Sequence, residues 1–119
     1  MDRITFITHD NKEILLLDFS GLKATDAIAL IEPAKRVISS KPQNSILTLT
    51  DVTELRFNDD LSQKMKDFTT HNKPYVRAAA VVGITGLREV IFNAVIAFSK
   101  RKISTFDTRD DAKKWLVAQ

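Results

Sequence analysis

Five consecutive apolar residues, Ala78-Ala79-Ala80-Val81-Val82, run uninterrupted into Gly83. A run this short, closed by glycine, suits a strand better than a helix, and it leaves neither face of that strand for water. It suits a central strand in a sheet covered on both sides, which points to an α/β domain with crossover helices.

The flanking segments fit that reading. Ile4-Thr5-Phe6-Ile7-Thr8 alternates apolar and polar residues, the signature of a half-buried strand. His9 to Glu13 supplies turn chemistry, and Ile14 to Phe19 forms a second apolar strand ended by Ser20-Gly21. The short loop predicts an antiparallel hairpin. Thr25 is expected as a helix N-cap, with Asp26 well placed for the helix dipole. Ala27, Leu30, Ile31, Ala34 and Ile38 then recur at helical spacing, and Pro33 within them predicts a kink or restart. Ser45 to Thr50 is a third strand ending at Asp51, after which Asn58-Asp59-Asp60 opens a helix with a Leu61, Met65, Phe68 stripe. A third helix is expected from about Gly86 to Lys100 and a last strand over Ile103–Phe106. Asp107 is expected to cap a final helix, with Asp110 three residues on and Ala112, Trp115 and Leu116 buried.

The resulting order is ββαβαβαβα. It predicts a mixed, mostly parallel five-stranded sheet with four helices, in one domain spanning residues 1–119. The 119 residues suffice for a core without staples. With no cysteine, the chain excludes disulfides, thiol catalysis and cysteine-ligated metals. The N-terminus shows no signal-peptide pattern, and no apolar stretch approaches the roughly 20 residues of a membrane span. A cytoplasmic protein is expected.

Three stretches resemble the SpoIIAA-like branch of the STAS superfamily. Val81-Val82-Gly83-Ile84-Thr85-Gly86 is similar to that family's strand-to-helix turn. Phe106-Asp107-Thr108 leading through Ala112 to Trp115-Leu116 is similar to its closing strand-helix motif, and Leu17-Asp18-Phe19-Ser20-Gly21-Leu22 fits its hairpin. With the element order, the resemblance covers nearly the whole chain. It implies the STAS-like fold and carries no catalytic motif. The related anti-sigma-factor antagonists place a phosphorylatable serine in an Asp-Ser-Ser-Gly-Leu motif. Here the comparable place reads Asn58-Asp59-Asp60-Leu61-Ser62, so the central serines are replaced and the glycine is missing.

Asp18, Asp51 and Asp107 each close a predicted strand, where open α/β sheets bind ligands. Helix capping accounts for Asp107 without chemistry. His9 and His71 lie in separate elements, and no nucleophile elbow or P-loop is present. The chain therefore reads as non-enzymatic, with no cofactor and no metal. Gly83, Thr85, Gly86 and Arg88 form a candidate ligand site, because backbone amides at a strand-to-helix turn can cradle an anion.

In the third helix nine of the twelve residues from Leu87 to Phe98 are apolar, so one side of the helix cannot hold them all. The wheel predicts Leu87, Val90, Ile91, Ala94, Val95 and Phe98 inside. Phe92 and Ile96 then share the wet side with Arg88, Glu89 and Asn93. Arg88, Phe92, Asn93 and Ile96 are accordingly the candidate interface.

Charge is uneven: residues 1–60 carry 7 basic and 10 acidic side chains, residues 61–119 carry 11 and 5. The basic excess is not laid out as an aromatic-interleaved face, which disfavours nucleic acid and membrane surface alike as partners. The expectation is a STAS-like regulatory or protein-interaction module, homodimeric, acting on a regulatory protein. The alternative is a binding domain for a lipid or other hydrophobic or anionic small molecule.

Overall fold

A computed structural model describes residues 3–85, 87–99 and 103–119, without the side chains of 87, 88, 91, 96, 98 and 99. The element order is β1 (Ile4–His9), β2 (Lys12–Asp18), α1 (Ala24–Ser39), β3 (Ile46–Asp51), α2 (Asp59–Asn72), β4 (Val76–Val82), α3 (Leu87–Ser99), β5 (Ile103–Phe106) and α4 (Arg109–Val117). The five strands lie side by side in chain order. β1 runs antiparallel to β2, and every later pairing is parallel.

The hairpin is set by two residues. Asp10 and Asn11 both take positive φ, 49° and 64°, between the paired residues His9 and Lys12. That is the two-residue turn whose twist matches antiparallel strands, and Asp and Asn tolerate it best among non-glycine residues.

Strand alternation then divides the core between two layers. Leu15, Leu17, Ile46 and Val81 face α1, α2 and α3, where they meet Ala27, Ile31, Ala34, Ile38, Leu61, Met65, Phe68, Phe92 and Val95. Ile14, Leu47, Leu49, Ala78, Ala80 and Val82 face α4 and pack on Ala112 and Leu116. The apolar run of β4 is thus buried on both sides, in keeping with its composition. Right-handed crossovers in a sheet that grows in one direction put α1, α2 and α3 on a single face. Among the described residues no helix is long and apolar enough to cross a membrane.

Three local expectations are corrected. α1 starts one residue before Thr25: Lys23 holds the extended N-cap position and no side chain caps the helix, so Thr25 falls in the first turn. α1 does not restart at Pro33 but runs through it as one element, with Ile31 and Ala34 buried on either side. α4 is capped by Thr108, not Asp107: the Thr108 hydroxyl accepts the Asp111 amide at 3.1 Å. The N-cap of α2 is Asn58, whose side chain accepts the Leu61 amide at 2.8 Å.

Candidate functional site

β2 and β3 are parallel neighbours, and their registered partners include Asp18 opposite Asp51. Both side chains point to the α4 face, two positions beyond Leu16 and Leu49 respectively. Each aspartate folds the chain that follows it in the same way. Asp18 Oδ1 accepts the Ser20 amide at 3.0 Å and the Ser20 hydroxyl at 2.5 Å. Asp51 Oδ1 accepts the Thr53 amide at 2.9 Å and the Thr53 hydroxyl at 2.6 Å. Two Asp-x-Ser/Thr turns therefore stand side by side at the carboxyl end of the sheet. They are laced together by backbone bonds from Phe19 N–H to Asp51 O and from Gly21 N–H to Thr53 O.

Arg109, the first residue of α4, closes this arrangement. Its Nε donates to Asp51 Oδ2 at 2.7 Å, and its Nη2 lies 3.4 Å from Asp18 Oδ1. Arg3 reaches Asp18 from the other side: Nη1 donates to the Asp18 and Ser20 carbonyls at 3.2 and 2.9 Å and lies 3.7 Å from Asp18 Oδ1. The Asp51 side chain is 8% exposed, whereas those of Asp18 and Arg109 are 26% and 37% exposed. Burial pushes the Asp51 carboxyl upward, but the Thr53 hydroxyl and amide and the Arg109 guanidinium outweigh it and hold it below the usual carboxylate value.

A carboxylate held ionised by three donor groups is a poor proton carrier at neutral pH, where general acid–base work needs a pKa near the operating pH. The arrangement is suited to joining elements: one guanidinium ties α4 to two strand ends. Asp107, the third strand-end aspartate, is exposed and has no part in it. Among the described residues no group of three or more His, Asp or Glu is arranged to hold a metal.

Gly83 is explained by the same strand ends. It has φ +91°, and a Cβ there would lie 2.3 Å from Thr53 Oγ1 and 2.6 Å from the Thr53 backbone nitrogen. The glycine lets the β4–α3 turn press against the Asp51–Thr53 turn. Of the other residues in the candidate ligand loop, Thr85 is exposed, Gly86 lies outside the described residues, and so does the side chain of Arg88.

The candidate interface is corrected at its centre. Phe92 is 4% exposed, inside the core, and its ring meets Phe57 edge-on at 5.3 Å and 88°. Asn93 is exposed, and the Ile96 side chain lies outside the described residues. The helix is rotated relative to the sequence-based wheel: Val90, expected inside, is 70% exposed, and Ala94 joins it on the outer face. The loop aromatic Phe57 offers Phe92 an inward partner that the helix sequence does not reveal.

The histidines do not meet. His9 pairs with Asp10, and His71 Nδ1 lies 2.9 Å from Asn72 Oδ1. A cavity of about 30 Å³ lies between the sheet and the α2–α3 layer, lined by Thr48, Thr50, Met65, Phe68, Asn72 and Phe92 among others. No family model, curated protein or solved structure matches the chain.

Proposed function

We propose that the chain is a non-catalytic, STAS-like regulatory or protein-interaction module that works in the cytoplasm as a homodimer. The observation that carries this reading is the closed state of the strand-end cluster. The position where an open α/β sheet would present reactive groups is filled by Asp18, Asp51, Arg3 and Arg109 satisfying one another. Function then falls to the surface. The SpoIIAA-like resemblance of the turn, hairpin and closing helix supports the same reading. Native mass spectrometry of the purified protein tests it: a dimer without added mass is expected, and a monomer overturns the homodimer.

The second reading, an apolar small-molecule binder, is favoured by the cavity beneath α2 and α3. About 30 Å³ of room accommodates only one or two waters, so a lipid-sized occupant would have to displace α3. A species carrying a few hundred extra daltons in the same measurement would move the assignment to this reading.

A further inference from the structure

We propose that the free edge of β1 is where a second copy of this chain docks, strand against strand, extending the sheet across a twofold axis. The inference rests on the homodimeric reading above and names its surface.

The Asp18 amide donates to the Arg3 carbonyl at 2.8 Å, which makes Arg3–Asp18 a hydrogen-bonded pair of the hairpin. Register is unbroken from Ile4↔Leu17 to His9↔Lys12, so the bonded positions of β1 alternate through Thr5, Ile7 and His9. The backbone groups of Ile4, Phe6 and Thr8 consequently point away from β2. No backbone bond from a described residue outside the hairpin reaches them.

Sheet edges are usually guarded by charge, proline, a bulge or shortness. β1 has six residues, ITFITH, without lysine, arginine, acid, glycine or proline, and without a register shift; Lys41 Nζ lies 4.8 Å from the Phe6 ring centroid, over the side chain on the α1–α3 face. The opposite edge differs: β5 has four residues and follows Lys100-Arg101-Lys102 in the sequence.

The exposed pattern also selects a partner. In an antiparallel pairing with Phe6 opposite the second copy's Phe6, Ile4 falls opposite Thr8 on both sides of the axis. All three positions present outward N–H and C=O groups, giving about six hydrogen bonds between the copies. Arg3 then lies across from the second copy's His9 and next to its Asp10, whose side chain is 74% exposed. The match of basic end to acidic turn occurs twice, once on each side of the axis.

Thr8→Pro is the test. Thr8 is exposed and its amide points outward, so proline there removes a donor from the edge and none from the hairpin. Sedimentation of wild type, Thr8→Pro and Val90→Glu across a concentration series is expected to show a wild-type dimer. Thr8→Pro should weaken its dissociation constant about 100-fold while keeping the native circular dichroism spectrum. Val90→Glu should remain dimeric.

A dimeric Thr8→Pro overturns the β1 edge and leaves the homodimer reading standing. A wild-type monomer overturns both, and the edge is then open to an extended segment of another protein. If Thr8→Pro does not fold, hydrogen exchange on the wild type decides instead. The Phe6 and Thr8 amides must gain protection as the dimer forms, and fast exchange in the dimer defeats the proposal.

Discussion

Arg109 Nε sits 2.7 Å from Asp51 Oδ2, and this contact ties the first residue of α4 to the last residue of β3. The same guanidinium approaches Asp18, so two strands and a helix converge on one charge. Removing a partner leaves a largely buried carboxylate or its hydroxyl donor unmatched, which costs more than the pair itself contributes.

Asp51→Ala is therefore expected to destabilise the fold by about 2–3 kcal/mol, below the roughly 3–5 kcal/mol of fully buried pairs because Arg109 is partly solvated. Arg109→Leu should cost less, since Thr53 still bonds Asp51 Oδ1 and Oδ2 alone loses its donor. Urea denaturation of both single variants and the double variant gives their coupling. A coupling near zero would show that the contact does not hold α4.

The pH dependence has a definite sign. The Asp51 carboxyl is lowered in the folded protein from an ordinary value of about 3.9, so its contribution is complete above that value. It is lost as pH falls through the lower, folded value. Stability of the wild type should drop more steeply below about pH 4 than that of Asp51→Asn. Parallel acid titrations followed by circular dichroism check this, and identical curves would remove Asp51 as the titrating group.

Gly83→Ala meets two obstacles at once, a left-handed φ and contact with the Thr53 backbone well inside van der Waals distance. A loss of more than about 2 kcal/mol is expected, because two of the three obstructing atoms, Thr53 N and Cα, belong to the main chain and cannot rotate away. Thermal melts of Gly83→Ala beside Gly21→Ala separate the two effects. Gly21 also has positive φ, but a Cβ there would meet nothing within 4 Å.

Phe92→Ala should act as a core truncation, with a loss of about 3–5 kcal/mol and no specific effect on association. Equilibrium unfolding beside sedimentation distinguishes this from an interface role. A stable, folded Phe92→Ala that became monomeric would return the residue to the surface.

The sheet was legible in the sequence because its signals are local. The apolar run of β4, the alternation of β1 and the helical spacing of Ala27, Ile31, Ala34 and Ile38 each specify an element without outside help. The orientation of α3 was not, because apolar residues surround that helix and both sides compete for the core. The inward partner of Phe92 is Phe57, thirty-five residues earlier in the chain. The strand-end cluster was legible only in part. Asp18 and Asp51 stand out as strand-end acids, but their adjacency depends on strand register, and Arg109 joins them from an element 58 residues beyond Asp51. The repeated Asp-x-Ser/Thr spacing of residues 18–20 and 51–53 was the available signal.

Because strand order in the sheet equals strand order in the chain, each crossover closes a short loop onto its predecessor. α4 reaches back across the whole parallel part of the sheet, from β5 to β2. Contacts of such long sequence separation are entropically late, so α4 is expected to dock after the strands and the three-helix layer have assembled. Its stabilising contacts act chiefly on the rate of leaving the native state. Substitutions at Arg109 and Leu116 therefore belong on the unfolding arm of a chevron plot, whereas those at Leu49 and Ala80 belong on the folding arm.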